Sequence, residues 1–371
     1  MTEQKNNSLI RPIQPVHPTH GAFVKDGLMV AFPLCFPGMT DAIPLEESRI
    51  TALAWGGTGV LFGGTGGKGS HLFAAFFKGA TGAIFDLGRI DGATACTGVA
   101  CGKVNLVAAV NGSKGSQIIS QKAEGLPDFD LLQEWSFLRR PYHNLNWDLA
   151  GERILDLVGL AATDLAVGIS EHHLFLVDVD QGRCDVVAAL DTIPRLMVSA
   201  DGQVYGLDGD DALWRFHPIT RKLTRKAVPL PSAAWGKGSL AWARDPVAAA
   251  VYLASPDGGI FSFSPDLTSG RVVAKAPLAP VQCLAVIPDG RVYGFCGQDI
   301  EHLFVFDPET GTLTDLGVAI SVIERRRYGY QFAAAVVSQD GHLCFGENDN
   351  LGHLWLYFPS IRPRKKTSVL S

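Results

Sequence analysis

Apolar residues fall in short runs along the whole chain, and within many runs they alternate with polar or small residues. The pattern is clearest between residues 281 and 317, where QCLAVI, RVYGFC, HLFVFD and TLTDLG are separated by turn sequences that include Asp289-Gly290 and Pro308-Glu309-Thr310-Gly311. A period of two turns one face of each run toward a core, which predicts four β-strands joined by hairpins. Asp-Gly suits such a hairpin because its glycine tolerates positive φ. Asp201-Gly202, Asp257-Gly258 and Asp340-Gly341 predict further tight turns. Helical spacing is scarce; its best instance is the short LPDFDLLQEW at 126–135.

The four-run unit recurs. A residue followed by an apolar pair such as Leu-Phe marks each copy, at His71, Gln117, His173, Ala212, Gly259, His302 and His353, with a mean separation of 47 residues. One copy cannot bury its own faces, so neighbours must stack on one another; a period of this length with several strands per copy points to propeller blades. The last copy stops after LWLYFP, and DGLMVAFP at 26–33 is the segment expected to supply its missing strand, hiding edges that would otherwise template aggregation. The expected fold is all-β: a seven-bladed β-propeller of four-stranded blades over 20–361, its ring closed by an N-terminal strand. Residues 1–19 read as an extension and 362–371 as a basic, solvated tail.

This grammar resembles the seven-bladed propeller superfamily, which includes Kelch-type proteins and propeller-type polysaccharide lyases. The resemblance spans roughly 20–361 and implies a ligand site at the mouth of a central channel. It carries no motif that can be matched residue by residue to a lyase.

The glycine-rich stretch FGGTGGKGSHLF at 62–73 invites comparison with a phosphate-binding loop. A P-loop needs Ser or Thr directly after its lysine to reach Mg²⁺, but Lys68 is followed by Gly69, and no helix start follows. In the repeat, these glycines join the second and third strands of the first unit, where positive φ and close packing account for them.

Composition narrows the function. Among 371 residues there are 41 glycines and 21 prolines, and only 19% are charged, as many short strands and tight turns require. A net charge of −5 gives no basic footprint for nucleic acid. No run is long and apolar enough to span a membrane, and the opening MTEQKNNSLIRPIQP lacks the apolar core of a signal peptide. Seven cysteines (35, 96, 101, 184, 283, 296, 344) stand at irregular spacing, which suits buried thiols in a reducing cytoplasm. The expected location is therefore cytoplasmic, with no metal or other cofactor.

Two connections stand out for chemistry. WSFLRRPYHNLNW at 135–147 carries Arg139, Arg140, Tyr142, His143 and Asn144; ISVIERRRYGYQF at 320–332 carries Arg325, Arg326, Arg327, Tyr328 and Tyr330. Both are read as loops from an outer strand to the next inner strand, at the channel mouth. Arg binds carboxylate through a planar fork, and a nearby cation lowers the pKa of Tyr. The set suits an anionic sugar: Arg139, Arg140, Arg326, Arg327, Tyr330 and Asn144 as binding groups, with Tyr328, His143, Tyr142 and His353 as candidate acids or bases for β-elimination from a uronate. The alternative is structural, with arginines paired to carboxylates between blades and tyrosines packed on blade edges. The repeated histidines divide similarly: each imidazole bonds a loop carbonyl in its own blade, and His353, near Glu347, Asn348 and Asp349, is the one kept as a candidate. Two functions remain open. One is a site for a small molecule or oligosaccharide at the channel; the other is a non-catalytic platform for a protein partner.

Overall fold

The computed structural model of the chain describes residues 27–34, 42–56, 59–78, 81–123, 141–149, 151–160, 163–190, 196–198, 201–208, 212–230, 241–322 and 327–364. Among these residues the chain is all-β, with one turn of 3-10 helix at Leu45–Glu47. The helical candidate at 126–135 lies wholly outside them, as do Arg139, Arg140, Arg325 and Arg326.

The strands form consecutive antiparallel meanders. Modules 1 to 6 cover 49–90, 93–144, 154–189, 196–229, 241–275 and 281–320, each with four strands paired in sequence order. Module 7 has three strands of its own, Phe332–Val337, Leu343–Glu347 and His353–Pro359. Its fourth is Gly27–Pro33, paired antiparallel from Gly27 opposite Pro359 to Pro33 opposite His353. The N-terminal strand thus completes the last module, as the sequence pattern predicts.

Each module buries its faces against its two neighbours. Phe62 and Phe85 of module 1 share a core with Val99 and Val110 of module 2. Further shared cores join modules 2 and 3 around Phe175, 3 and 4 around Trp214, 4 and 5 around Phe261, and 5 and 6 around Phe304. Phe295, Phe332 and Trp355 join modules 6 and 7, and Ile50, Phe73 and Leu354 join module 7 back to module 1. The circuit of contacts closes.

A glycine–aromatic pairing recurs inside the modules. Gly63, Gly168, Gly206 and Gly294 on second strands stand opposite Phe73, Phe175, Trp214 and Phe304 on third strands. A Cβ on any of them would fall within 2.1–2.8 Å of the facing ring, so the ring lies over bare backbone. This explains why these four strand positions are glycine. In the glycine-rich stretch at 62–73, Gly67 has φ of +139° and would meet the Glu46 carbonyl with any side chain. Glycines 202, 258, 290 and 341 of the Asp-Gly turns all have positive φ.

The basic C-terminal segment departs from expectation. Arg364 holds the buried Asp245 of module 5 through two bonds of 2.8 and 2.6 Å. Arg362 reaches Asp307 and gives its backbone N–H to Asp289, both in module 6. Residues 360–364 are therefore a strap over modules 5 and 6. Buried Asp245 supplies the partner that makes leaving water worthwhile for Arg364, whereas the Arg362 side chain stays exposed.

Candidate functional site

The histidines of the repeat each meet a carboxylate, where the sequence reading placed a loop carbonyl. His71 is bonded through Nδ1 to Asp86 at 3.0 Å and through Nε2 to Glu47 at 2.8 Å, and Glu47 also takes two bonds from Arg89. Burial opposes protonation of His71, but these acid partners outweigh it and raise its pKa. His173 bonds Glu152 at 2.8 Å, and His302 bonds Asp315 at 3.0 Å, which raises the His302 pKa. Three of the four histidines are thus clips, each tying a strand to an acidic residue within its own module or its entry segment.

Tyr142, His143 and Asn144 are not in a loop beside the next module. They form the fourth strand of module 2, opposite Gln121, Ser120 and Ile119. The Tyr142 hydroxyl accepts the backbone N–H of Asp91 at 2.9 Å, while His143 and Asn144 are exposed. The segment pairs because Gly115–Lys122 would otherwise end module 2 with an open edge. Module 1 lies between this strand and module 7, so these residues and the second candidate group do not meet.

The second group does converge, at the seam between modules 6 and 7. Tyr328–Gly329 folds back on Thr312–Ile320 as a fifth strand of module 6, and Phe332 then opens module 7. Gly329 is buried, with its missing Cβ only 2.7 Å from the Phe332 and Trp355 rings. Side chains alternate along an extended chain, so Tyr328 and Tyr330 point away from those rings. They are 43% and 40% exposed.

Bonded to the neighbouring Arg327, Glu347 ends the second strand of module 7 and is 0% exposed. Its Oε2 accepts Arg327 Nη2 at 3.0 Å and Trp355 Nε1 at 3.2 Å, with His353 Nδ1 also at 3.2 Å. Its Oε1 is buried and takes no bond from an N–H group among the described residues. Burial resists ionisation of Glu347, but His353 and Arg327 outweigh it and hold the pKa below the ordinary value. Asp349 is its hydrogen-bonding neighbour and behaves oppositely: burial, then the Glu347 charge, raises its pKa. The two acids therefore shift in opposite directions.

A third acid completes the seam. Glu301, 2% exposed, accepts the Phe332 N–H through Oε2 at 2.9 Å. Burial pushes its pKa up to about 8. The three residues Tyr330–Phe332 run between two turns: Tyr330 O accepts Glu301 N, and Gln331 O accepts Asn348 N. Glu301 and Asp349 therefore flank one short segment that also carries an exposed tyrosine. Asn111 makes the comparable bridge from module 2 to Ile154, but an amide satisfies both backbone groups without charge. A carboxyl in that role brings a proton to be gained or lost.

Of the candidate residues, Arg327, Tyr328, Tyr330 and His353 are brought together. Arg139, Arg140 and Arg326 lie outside the described residues. Glu301 was missed: the residue before the repeat marker is Ser or Gly in four of seven copies (Ser70, Ser116, Gly258, Gly352), but His172 and Asp211 depart from that as Glu301 does, so the position alone does not single it out.

No protein-family model matches the chain, and no curated protein matches it. Among solved structures it is similar to the extracellular domain of BT4673 of B. thetaiotaomicron, assigned to the one-component systems, with a TM-score of 0.54 and 13% identity. The match covers 88% of this chain, which spans 39% of that one. At this identity the likeness shows a shared all-β fold. It also overturns the cytoplasmic expectation, since the neighbour with this fold is an extracellular domain; buried thiols are equally inert in either setting. Burial pushes Cys96, Cys101, Cys184 and Cys296 up to about 12, which removes thiolate reactivity whatever the compartment.

Proposed function

We propose that the chain is a seven-bladed β-propeller that binds a saccharide at the seam between its sixth and seventh blades. The closed circuit of shared cores and the N-terminal strand in module 7 support the propeller. The observation that carries the binding function is the pair of exposed tyrosines, Tyr328 and Tyr330, beside acids that still have hydrogen-bonding capacity. Sugar rings stack their C–H faces on aromatic rings, and their hydroxyls pair with carboxyl groups. Arginine-assisted β-elimination draws no support from this seam. It needs a guanidinium available to a substrate carboxylate, and Arg327 is engaged with Glu347.

Ile300 and Leu351, exposed on the two flanking turns, favour a second reading in which the same face docks a protein. A thermal-shift and tryptophan-fluorescence screen of neutral, amino and uronate oligosaccharides separates the two. A saccharide response that disappears in Tyr328→Ala/Tyr330→Ala supports the proposal. No response to any saccharide, with both proteins folded, rejects it in favour of the protein-docking reading.

A further inference from the structure

We infer that the turns joining the first and second strands of modules 5, 6 and 7 form a binding site for an extended, arginine-bearing peptide, and that residues 360–364 are a detachable ligand the chain supplies to itself. These turns lie at the opposite strand ends from the turns carrying Glu301 and Asp349, so the inference is independent of the saccharide site. Ser-Ile-Arg-Pro-Arg crosses the three turns. Ile361 lies against the module 7 turn, where a Cβ on Gly341 would come within 2.7 Å of its Cδ1. On the module 6 turn, Arg291 Nη2 donates to Ser360 O at 2.7 Å, and Arg362 N donates to Asp289 Oδ2 at 3.1 Å. The Arg364 guanidinium passes 3.3 Å from the missing Cβ of Gly290 and makes its two bonds to Asp245 on module 5.

The receiving groups are buried and are positioned by their own turns. Asp245, 1% exposed, takes the N–H groups of Val247 and Ala248 at 2.8 and 2.9 Å. Asp289 is clamped by the buried Arg291 two residues on, at 3.1 and 2.8 Å. The strap is the reverse, with Ser360–Pro363 exposed. It offers Ser360 O, Arg362 N and the Arg364 fork, at alternate positions. Alternate positions of an extended chain face the same side, and Pro363 biases Arg362 toward that backbone. An exposed segment on a buried, preformed set of partners is arranged as a peptide on its site, and little apolar burial resists its departure. Departure leaves Asp245 a buried carboxylate without its cation, a penalty that another arginine removes. Guanidinium meets both Asp245 oxygens at once, which a lysine ammonium does less well. The tethered strap competes at an effective concentration on the order of millimolar, so the chain's own segment fills the site until it is drawn away.

Fluorescence polarisation of a labelled peptide of residues 359–366, Pro-Ser-Ile-Arg-Pro-Arg-Lys-Lys, tests the inference on the full-length chain. Arg362→Pro/Arg364→Gln removes the N–H given to Asp289 and the guanidinium given to Asp245, which frees the strap at both points. This variant should bind the peptide at least about tenfold more tightly than the wild type, whose own strap competes. Adding Asp245→Asn to the protein, or Arg364→Lys to the peptide, should each weaken that binding about tenfold. No binding by the folded double variant overturns the inference and makes the strap a fixed part of the ring. Binding indifferent to both Asp245→Asn and the lysine peptide is charge attraction alone and overturns it as well. Should the double variant fail to fold, hydrogen exchange of the wild type decides. The Arg362 amide should exchange at least about a hundredfold faster than those of Val281–Val286, and equal protection contradicts a detachable strap.

Discussion

Two seams of the same molecule place a histidine at the same repeat position beside buried acids, and they end in opposite states. At the seam between modules 7 and 1, His71 is fixed at both ring nitrogens, and each Glu47 oxygen and Asp86 Oδ1 takes a bond. At the seam between modules 6 and 7, Arg327 and Trp355 both donate to one oxygen of Glu347, which His353 also faces, and two neighbouring acids resist ionisation. The first arrangement is complete in itself. In the second, a buried carboxylate oxygen takes no bond from any described N–H group, and two exposed tyrosines stand on the adjoining segment. A repeated motif becomes a candidate site where its polar partners fail to balance.

The largest test of this contrast is Glu347→Ala. Removing the buried acid leaves Arg327 and His353 facing each other without it, and the cost should be about 3–5 kcal/mol in chemical unfolding. A loss under about 1 kcal/mol would mean the cluster does not hold the seam. Glu301→Gln should act in the other direction. In the folded protein Glu301 titrates at about 8 against an ordinary 4.5, so the native state binds more protons between those values and wild-type stability falls as pH rises through them. The variant lacks that decline and should gain by a few kcal/mol toward pH 8, at ~1.4 kcal/mol per unit. Parallel pH profiles of the melting temperature would contradict it.

His71→Gln probes the balanced seam. A histidine with a raised folded pKa contributes fully below its unfolded value of 6.5 and loses that contribution as pH rises through the folded value. The variant should be less stable by about 1–3 kcal/mol in mild acid, with a smaller deficit in alkali. Tyr328→Ala and Tyr330→Ala should change stability least, by about 0.5 kcal/mol or less, because both side chains are exposed. Their effect belongs to binding, and a large loss of stability would make them packing residues instead.

Strand pattern, turns and the closing N-terminal strand were legible because each rests on local signals: period-two alternation, Asp-Gly pairs and a last unit one strand short. The glycine–aromatic pairs were not, since Gly63 and Phe73 meet only once the register of two strands is known. Tyr142–Asn144 reads as a loop because a three-residue strand carries too little pattern to distinguish it. The site was half legible. His353 with Glu347 and Asp349 stands close in sequence, whereas Glu301 reaches Phe332 across 31 residues through a backbone bond that no local motif encodes. Of the arginine run, Arg327 is engaged with an acid 20 residues away, while Arg325 and Arg326 lie outside the described residues.

The most direct test of the seam as a binding site is hydrogen–deuterium exchange with and without the tightest saccharide from the panel. The account predicts slowed exchange confined to residues 327–332, 347–353 and the turn at 299–302. Protection centred on 141–149, or an unchanged seam under saturating ligand, would contradict it.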